Sequence, residues 1–163
     1  MPNSQPPQIV VDASTVIAAL LPTLAPVDTL DLFTAWRRTD TAILAPPLLL
    51  AECTSAIRRY VHSGLLAGEE AATALADLAA LDVEIVPDTH VRCRAAYDWA
   101  GRLGQVRAYD GFYCALAEEV AAALYTGDRR LANAGRQLGV DWIIWVGEPS
   151  ILPPAAESGE SME

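Results

Sequence analysis

The run Gln8-Ile9-Val10-Val11-Asp12-Ala13-Ser14 constrains the fold more than any other stretch of the chain. Three consecutive β-branched residues suit a strand buried on both faces, as in a parallel sheet, better than one with a wet face. The aspartate falls where such a strand leaves the sheet. In an open parallel sheet, ligands gather outside the carboxyl ends of the strands. Asp12 is therefore the first candidate functional residue, and the rest of the chain is read for what converges on it.

The pattern after Asp12 alternates helices with apolar strands. Ser14 is placed to cap a helix reaching Leu21, where Pro22 stops it. Spacing of apolar residues predicts a second helix over 27–38 and a strand over 41–44. Pro46-Pro47 opens a helix to His62, because proline is tolerated in a first turn, and Gly64 ends it. Further helices are predicted over 69–80, from Asp88 or Thr89 to 103, over 108–121 and over 129–138. Strands are predicted over 83–86, 122–126 and 140–146, with 104–107 as a connection. Alternation of this kind predicts an α/β chain: a three-layer α/β/α sandwich around a mostly parallel sheet of about five strands. Residues 8–146 would form the domain, 1–7 a flexible extension and 147–163 an acidic, disordered tail.

Composition narrows the chemistry. The formal net charge is −10, and all 11 basic residues are arginine, so lysine-dependent mechanisms are excluded. An acidic total argues against simple electrostatic binding of nucleic acid, although acids gathered in a metal site would add to it. Cys53, Cys93 and Cys114 are widely spaced and odd in number, which suits buried thiols in a reducing compartment better than disulfides. The first residues lack a signal-peptide pattern, and no apolar run reaches the roughly 20 residues that span a bilayer. A cytoplasmic protein with no membrane partner is the expectation. Zinc is disfavoured without Cys/His pairing, and no Walker or dinucleotide fingerprint is present.

Three other acids resemble Asp12 in their setting. Glu52 borders an apolar helix stripe of Leu49, Cys53, Ala56 and Tyr60. Asp110 opens the helix carrying Tyr113, Cys114, Leu116 and Ala117. Asp128 follows a strand, as Asp12 does. Each has an ordinary explanation alone: Asp12 and Asp128 as caps or turn residues, Asp110 as a first-turn acid favoured by the helix dipole, Glu52 as a solvated helix residue. Together they form a set of carboxylates that would repel one another unless a cation neutralised them. All-oxygen donors select hard ions such as Mg²⁺ or Mn²⁺.

The chain resembles the PIN-domain ribonucleases, most of all the VapC toxins of type II toxin–antitoxin modules. The matching segments are Val10-Val11-Asp12-Ala13-Ser14, Pro46 to Cys53, Tyr109 to Glu118, and Thr126-Gly127-Asp128-Arg129-Arg130-Leu131. The resemblance implies that Asp12, Glu52, Asp110 and Asp128 are an acidic quartet holding Mg²⁺ or Mn²⁺. It places Ser14 and Thr126 beside them. It also implies RNA as substrate, a homodimer, and an antitoxin that covers the acidic pocket. Arg59 and Arg129 are the candidate phosphate contacts. Gly111 stands where the family often has alanine, which would weaken that helix turn slightly. A PIN nuclease acting in RNA maturation without an antitoxin, and an inactive binding module of the same fold, are the alternatives. A receiver domain or haloacid-type phosphatase also puts Asp at a strand end, but both use a lysine. The four tryptophans are assigned to packing.

Overall fold

The computed structural model of the chain describes residues 6–148 and 151. The expected terminal extension and acidic tail fall largely outside these. Five strands and seven α-helices alternate among the described residues: β1 (Gln8–Val11), α1 (Ala13–Leu20), α2 (Leu30–Arg38), β2 (Ala42–Ala45), α3 (Leu48–His62), α4 (Gly68–Ala80), β3 (Glu84–Ile85), α5 (His90–Arg102), α6 (Tyr109–Glu119), β4 (Ala123–Thr126), α7 (Arg129–Gln137) and β5 (Ile143–Trp145). A short 3₁₀ turn at Pro22–Leu24 separates α1 from α2.

All strand pairs are parallel, and the sheet order is β3-β2-β1-β4-β5. From β1 the chain builds outward to β2 and β3, then returns to place β4 on the other side of β1. The order therefore reverses between β1 and β4, and a crevice opens there at the carboxyl ends of the strands. Val11 pairs with Tyr125 across this junction. Asp12 and Thr126 consequently leave the sheet side by side.

The core explains why β1 is central. Val10 and Val11 are both fully buried, and Ile9 nearly so. Burying each such side chain contributes about 1.5–3 kcal/mol before entropy is counted. Helices α1, α3 and α4 pack on one another, whereas α6 lies on β1 and β4 with α5 packed closely against it. Tyr113, Leu116 and Ala117 form the buried stripe of α6. Trp36 is buried edge-to-face against Phe33 and Tyr125, and Trp99 likewise meets Trp142. The assignment of these tryptophans to packing holds.

Two buried devices fix the elements that carry the candidate acids. The Thr29 hydroxyl donates to the Thr15 carbonyl at 2.7 Å, tying the start of α2 to α1. Arg92, 2% exposed, donates from Nε and Nη2 to the two Glu119 carboxylate oxygens and from Nη1 to the Pro87 carbonyl. This bidentate pair locks the start of α5 to the end of α6.

Several local expectations need correction. Asp12, not Ser14, caps α1: its side chain accepts from the Thr15 N–H. Ser14 lies inside the helix, where its hydroxyl is free for another task. Helix α2 begins three residues later than its apolar spacing suggested, because Thr29 is drawn into the core. Strand β3 spans only two residues, since Pro87 follows and the strand sits at the sheet edge. The last strand begins at Ile143, because Val140 closes the Gly139 turn by donating to the Gly135 carbonyl. Cys53 and Cys114 are buried as expected, but Cys93 is exposed on α5. No described helix is long and apolar enough to cross a membrane.

Candidate active site

Four separate elements deliver the four acids to the crevice. Asp12 follows β1, Glu52 lies in α3, Asp110 in the first turn of α6, and Asp128 follows β4 as the cap of α7. The acids sense one another. Glu52 is influenced by the charges of Asp110 and Asp12, and Asp110 by those of Asp12 and Asp128.

Asp12 is the centre of the group and 6% exposed. Its Oδ1 accepts from the Ser14 hydroxyl at 2.7 Å and the Thr15 N–H at 2.9 Å. Its Oδ2 accepts from the Thr126 hydroxyl at 2.5 Å. Both hydroxyls work twice. Ser14 Oγ accepts from the Gly127 N–H at 2.8 Å, and Thr126 Oγ1 accepts from the Asp128 N–H at 2.9 Å. The ends of β1 and β4 are thus stitched by two hydroxyl bridges that aim the Asp12 carboxylate. Burial pushes this carboxyl above the usual carboxylate range, and the three donors oppose the shift.

Helix α6 orders two further acids at once. Asp110 and Tyr113 share a face at i, i+3. The Asp110 Oδ2 accepts from the Gln105 amide at 2.6 Å. The Tyr113 hydroxyl crosses to Glu52 on α3 and donates to its Oε2 at 2.6 Å. Burial raises both carboxyls, the neutral donors hold them down, and the neighbouring negative charges push them up again. Burial and the Glu52 bond drive the Tyr113 phenol far above its usual range, so it remains a donor across the working pH range. The fourth acid, Asp128, accepts from the Arg130 N–H at 2.8 Å with Oδ1, and the exposed Arg130 guanidinium lies 3.5 Å from the same oxygen.

A pattern emerges from these bonds. In Glu52, Asp110 and Asp128, one carboxylate oxygen is held by a protein donor and the other has none among the described residues. None of the three free oxygens is sealed from solvent as an orphan; among the described residues the one buried side-chain atom without a partner is Gln105 Oε1. The set offers oxygen alone. Burial pushes the adjacent thiols of Cys53 and Cys114 up to about 12, so they stay protonated at neutral pH. A hard divalent cation fits this donor set better than zinc does. Among the described residues no three acids, cysteines or histidines are already gathered around a single point.

Sequence reasoning named four acids, Ser14 and Thr126, of which the structure joins Asp12, Asp128, Ser14 and Thr126 by hydrogen bonds and sets Glu52 and Asp110 near enough to feel the charge of Asp12. It separated the arginines less well. Arg59 is exposed on α3 and lines a cavity of about 630 Å³ that also includes Glu52, Ser14 and Gly127. Arg129 does not line that cavity; its guanidinium sits 5.0 Å from the Trp145 ring. Both histidines are exposed. Tyr113 and Gln105 were missed as site residues. A tyrosine on an apolar helix stripe carries a hydroxyl that needs a partner once buried, which was a usable signal. Gln105 lies in a connection and gave none.

Comparisons with known proteins match the chain and its fold. Residues 9–137 match the PIN domain family. Ribonuclease VapC3 from two strains of Mycobacterium tuberculosis is 35% identical over 135 residues, covering 82% of this chain and 91% of that protein. Two solved structures share the fold. PAE2754 from Pyrobaculum aerophilum has a TM-score of 0.62 at 21% identity, over 86% of this chain and 91% of its own. VapBC2 from Rickettsia felis, solved bound to a DNA fragment from the promoter of its genes, has a TM-score of 0.59 at 13% identity, over 85% and 96%. With the acids in place at the reversal point of a parallel sheet, and with these matches spanning nearly the whole described chain, the protein belongs to the VapC group of the PIN-domain family.

Proposed function

We propose that the chain is a divalent-metal-dependent endoribonuclease acting as the toxin of a toxin–antitoxin pair. The observation that carries this reading is the mutual electrostatic influence of Asp12, Glu52, Asp110 and Asp128 at the carboxyl ends of β1 and β4, with three carboxylate oxygens free of protein donors among the described residues. The name of the mycobacterial relative supports the ribonuclease assignment.

In this reading Asp12 is the central ligand, and Glu52, Asp110 and Asp128 hold Mg²⁺ or Mn²⁺ directly or through water. Bound hard cations would supply an activated water and neutralise charge on the scissile phosphate and the leaving oxygen. The residues of the chain do the rest. Ser14 and Thr126 fix the direction of the Asp12 carboxylate. Tyr113 and Gln105 each hold one oxygen of Glu52 and Asp110, and the other oxygen is free of protein donors among the described residues. Arg59 approaches substrate phosphate from the α3 side, and Arg129 has the weaker claim because it is engaged with Trp145.

An antitoxin partner is supported by the family and by the VapBC2 likeness. A homodimer rests on the family resemblance, and sedimentation would test it. The test of the activity is cleavage of single-stranded RNA with added Mg²⁺ or Mn²⁺, in EDTA, and with Asp12→Asn. Cleavage by the wild-type chain alone, and only with metal, is expected. Wild-type rates from Asp12→Asn, or cleavage in EDTA, would sink the metal assignment. Repression of the cleavage by the product of an adjacent small gene separates a toxin from a maturation nuclease, and metal-dependent turnover separates both from a binding module.

A further inference from the structure

Beside the acids lies a cavity whose chemistry the metal site does not explain. It is walled by α1, by α3 and by Arg107 and Tyr109 at the start of α6. Its volume, about 630 Å³, is within the roughly 300–1,000 Å³ of ligand cavities. It meets the acidic cluster along one edge. Ser14 and Glu52 belong to both, Tyr109 precedes Asp110, and Gly127 precedes Asp128.

Arg59 and Arg107 both line this cavity, and neither pairs with a carboxylate among the described residues. Arg37, Arg38, Arg58, Arg94 and Arg129 also lack a carboxylate partner among the described residues, and what sets Arg59 and Arg107 apart is the cavity they share. Arg92, Arg102, Arg130 and Arg136 all have acidic partners. Two guanidiniums without ion-pair partners lining one cavity suit an anionic ligand. Tyr109 adds an aromatic ring that is 49% exposed. An exposed ring with unpaired guanidiniums lining the same cavity is how proteins hold single-stranded nucleic acid: bases stack, and the backbone follows the positive charge. The segment is not adrift. The Gln105 amide fastens it to Asp110 at 2.6 Å, two residues before Arg107.

We infer that Arg107 and Tyr109 grip single-stranded RNA next to the scissile phosphate, with Arg107 and Arg59 on the backbone and the Tyr109 ring under a base. This rests on the nuclease reading and names how its substrate is held. The cavity admits a strand and not a duplex, whose bases are already stacked and whose sugar–phosphate walls would keep Tyr109 from them. Because Gln105 ties the gripping segment to Asp110, the bound strand is delivered in register with the acids.

The test is fluorescence anisotropy of a labelled single-stranded RNA, in EDTA and again in Ca²⁺, with a hairpin duplex as competitor. Arg107→Ala is expected to weaken binding by about fivefold or more and to lower the slope of log affinity against log salt by roughly 0.7, the value for one single-strand phosphate. Tyr109→Ala is expected to weaken binding by about fivefold or more, and Tyr109→Phe, which keeps the ring, to bind as wild type. Arg94→Ala removes the same charge from the exposed face of α5 and is expected to change neither quantity. The inference is overturned if wild type binds no RNA in either condition, or if Arg107→Ala and Tyr109→Ala bind like wild type. Equal affinity for the hairpin also overturns it. So does intact RNA binding with loss of antitoxin binding alone, which would make the cavity a protein-docking surface. Cleavage in Mn²⁺ is scored separately, so a chain that binds RNA through this cavity but does not cut it refutes the nuclease reading and leaves the grip standing.

Discussion

The Thr126 hydroxyl donates to Asp12 Oδ2 at 2.5 Å and accepts the Asp128 N–H at 2.9 Å, so one oxygen couples two candidate ligands. Thr126 is fully buried. Thr126→Val keeps the shape and removes both bonds, leaving a buried carboxylate oxygen and a backbone donor without partners. A loss of about 2–3 kcal/mol of stability is expected, along with RNA cleavage. Thr126→Ser retains the bridge and should restore most of both. Urea denaturation and RNA turnover on the two variants check this. Equal stability of the Val variant and wild type would show that the bridge carries no energy.

Tyr113 offers a cleaner separation of fold from site. Its ring is buried in the core, and its hydroxyl serves Glu52 alone. Tyr113→Phe leaves the packing in place and frees Glu52 to rotate. Partners that orient metal ligands typically matter by about 10–100-fold in metal affinity. Calorimetric titration with Mn²⁺ is expected to show weaker binding of that order, while the melting temperature in EDTA changes little. Unchanged Mn²⁺ affinity would mean that Glu52 is not a ligand or needs no orientation.

Gly111 follows Asp110 for a steric reason. A Cβ built there would lie 2.2 Å from the Ala96 carbonyl oxygen of α5, a backbone atom with no side-chain freedom to yield. The glycine permits α5 and α6 to touch rather than merely loosening a turn. Gly111→Ala should force the helices apart at a cost of about 1–3 kcal/mol or more. It should also displace Asp110, lowering Mn²⁺ affinity. A variant with wild-type stability and wild-type affinity would rule out the close approach.

The contrast between Gly111 and Asp12 shows what the sequence makes legible. Strand β1, the alternation of elements and the four acids are written in local pattern: β-branched runs, helix spacing, and acids where strands end. The adjacency of β1 and β4 is not, because 114 positions separate Asp12 from Thr126 and no local preference encodes which strands pair. Helix–helix distance is equally hidden, so Gly111 looked like a defect when it is a contact. Capping was read as an alternative to function at Asp12 and Asp128. Both residues cap helices and both face the cluster, since a carboxylate has two oxygens. Gln105 was unreadable because its role depends on a loop returning over a helix end.

The charge of the cluster gives a prediction about stability and pH. Burial raises the carboxyls of Glu52 and Asp110 above their usual 4.5 and 3.8. Between the unfolded and the folded values, the folded chain binds more protons than the unfolded one. Metal-free stability therefore falls as pH rises through that window, and the loss persists at neutral pH. Glu52→Gln and Asp110→Asn remove the charge, and each amide can turn its oxygen toward the existing donor, Tyr113 or Gln105. Discounted for the partial exposure of both acids, the gain is on the order of 1 kcal/mol, which raises the melting temperature by about 2–4 °C. The rise should appear in EDTA at neutral pH and shrink toward pH 4. Saturating Mn²⁺ should stabilise wild type and have less effect on either variant, because the cation binds the ionised, folded form. Thermal melts of the three proteins at pH 4 and 7.5, with EDTA or Mn²⁺, measure all of this. A neutral-pH melting temperature that falls in both amide variants without metal would show that the carboxylates stabilise the empty site instead of straining it.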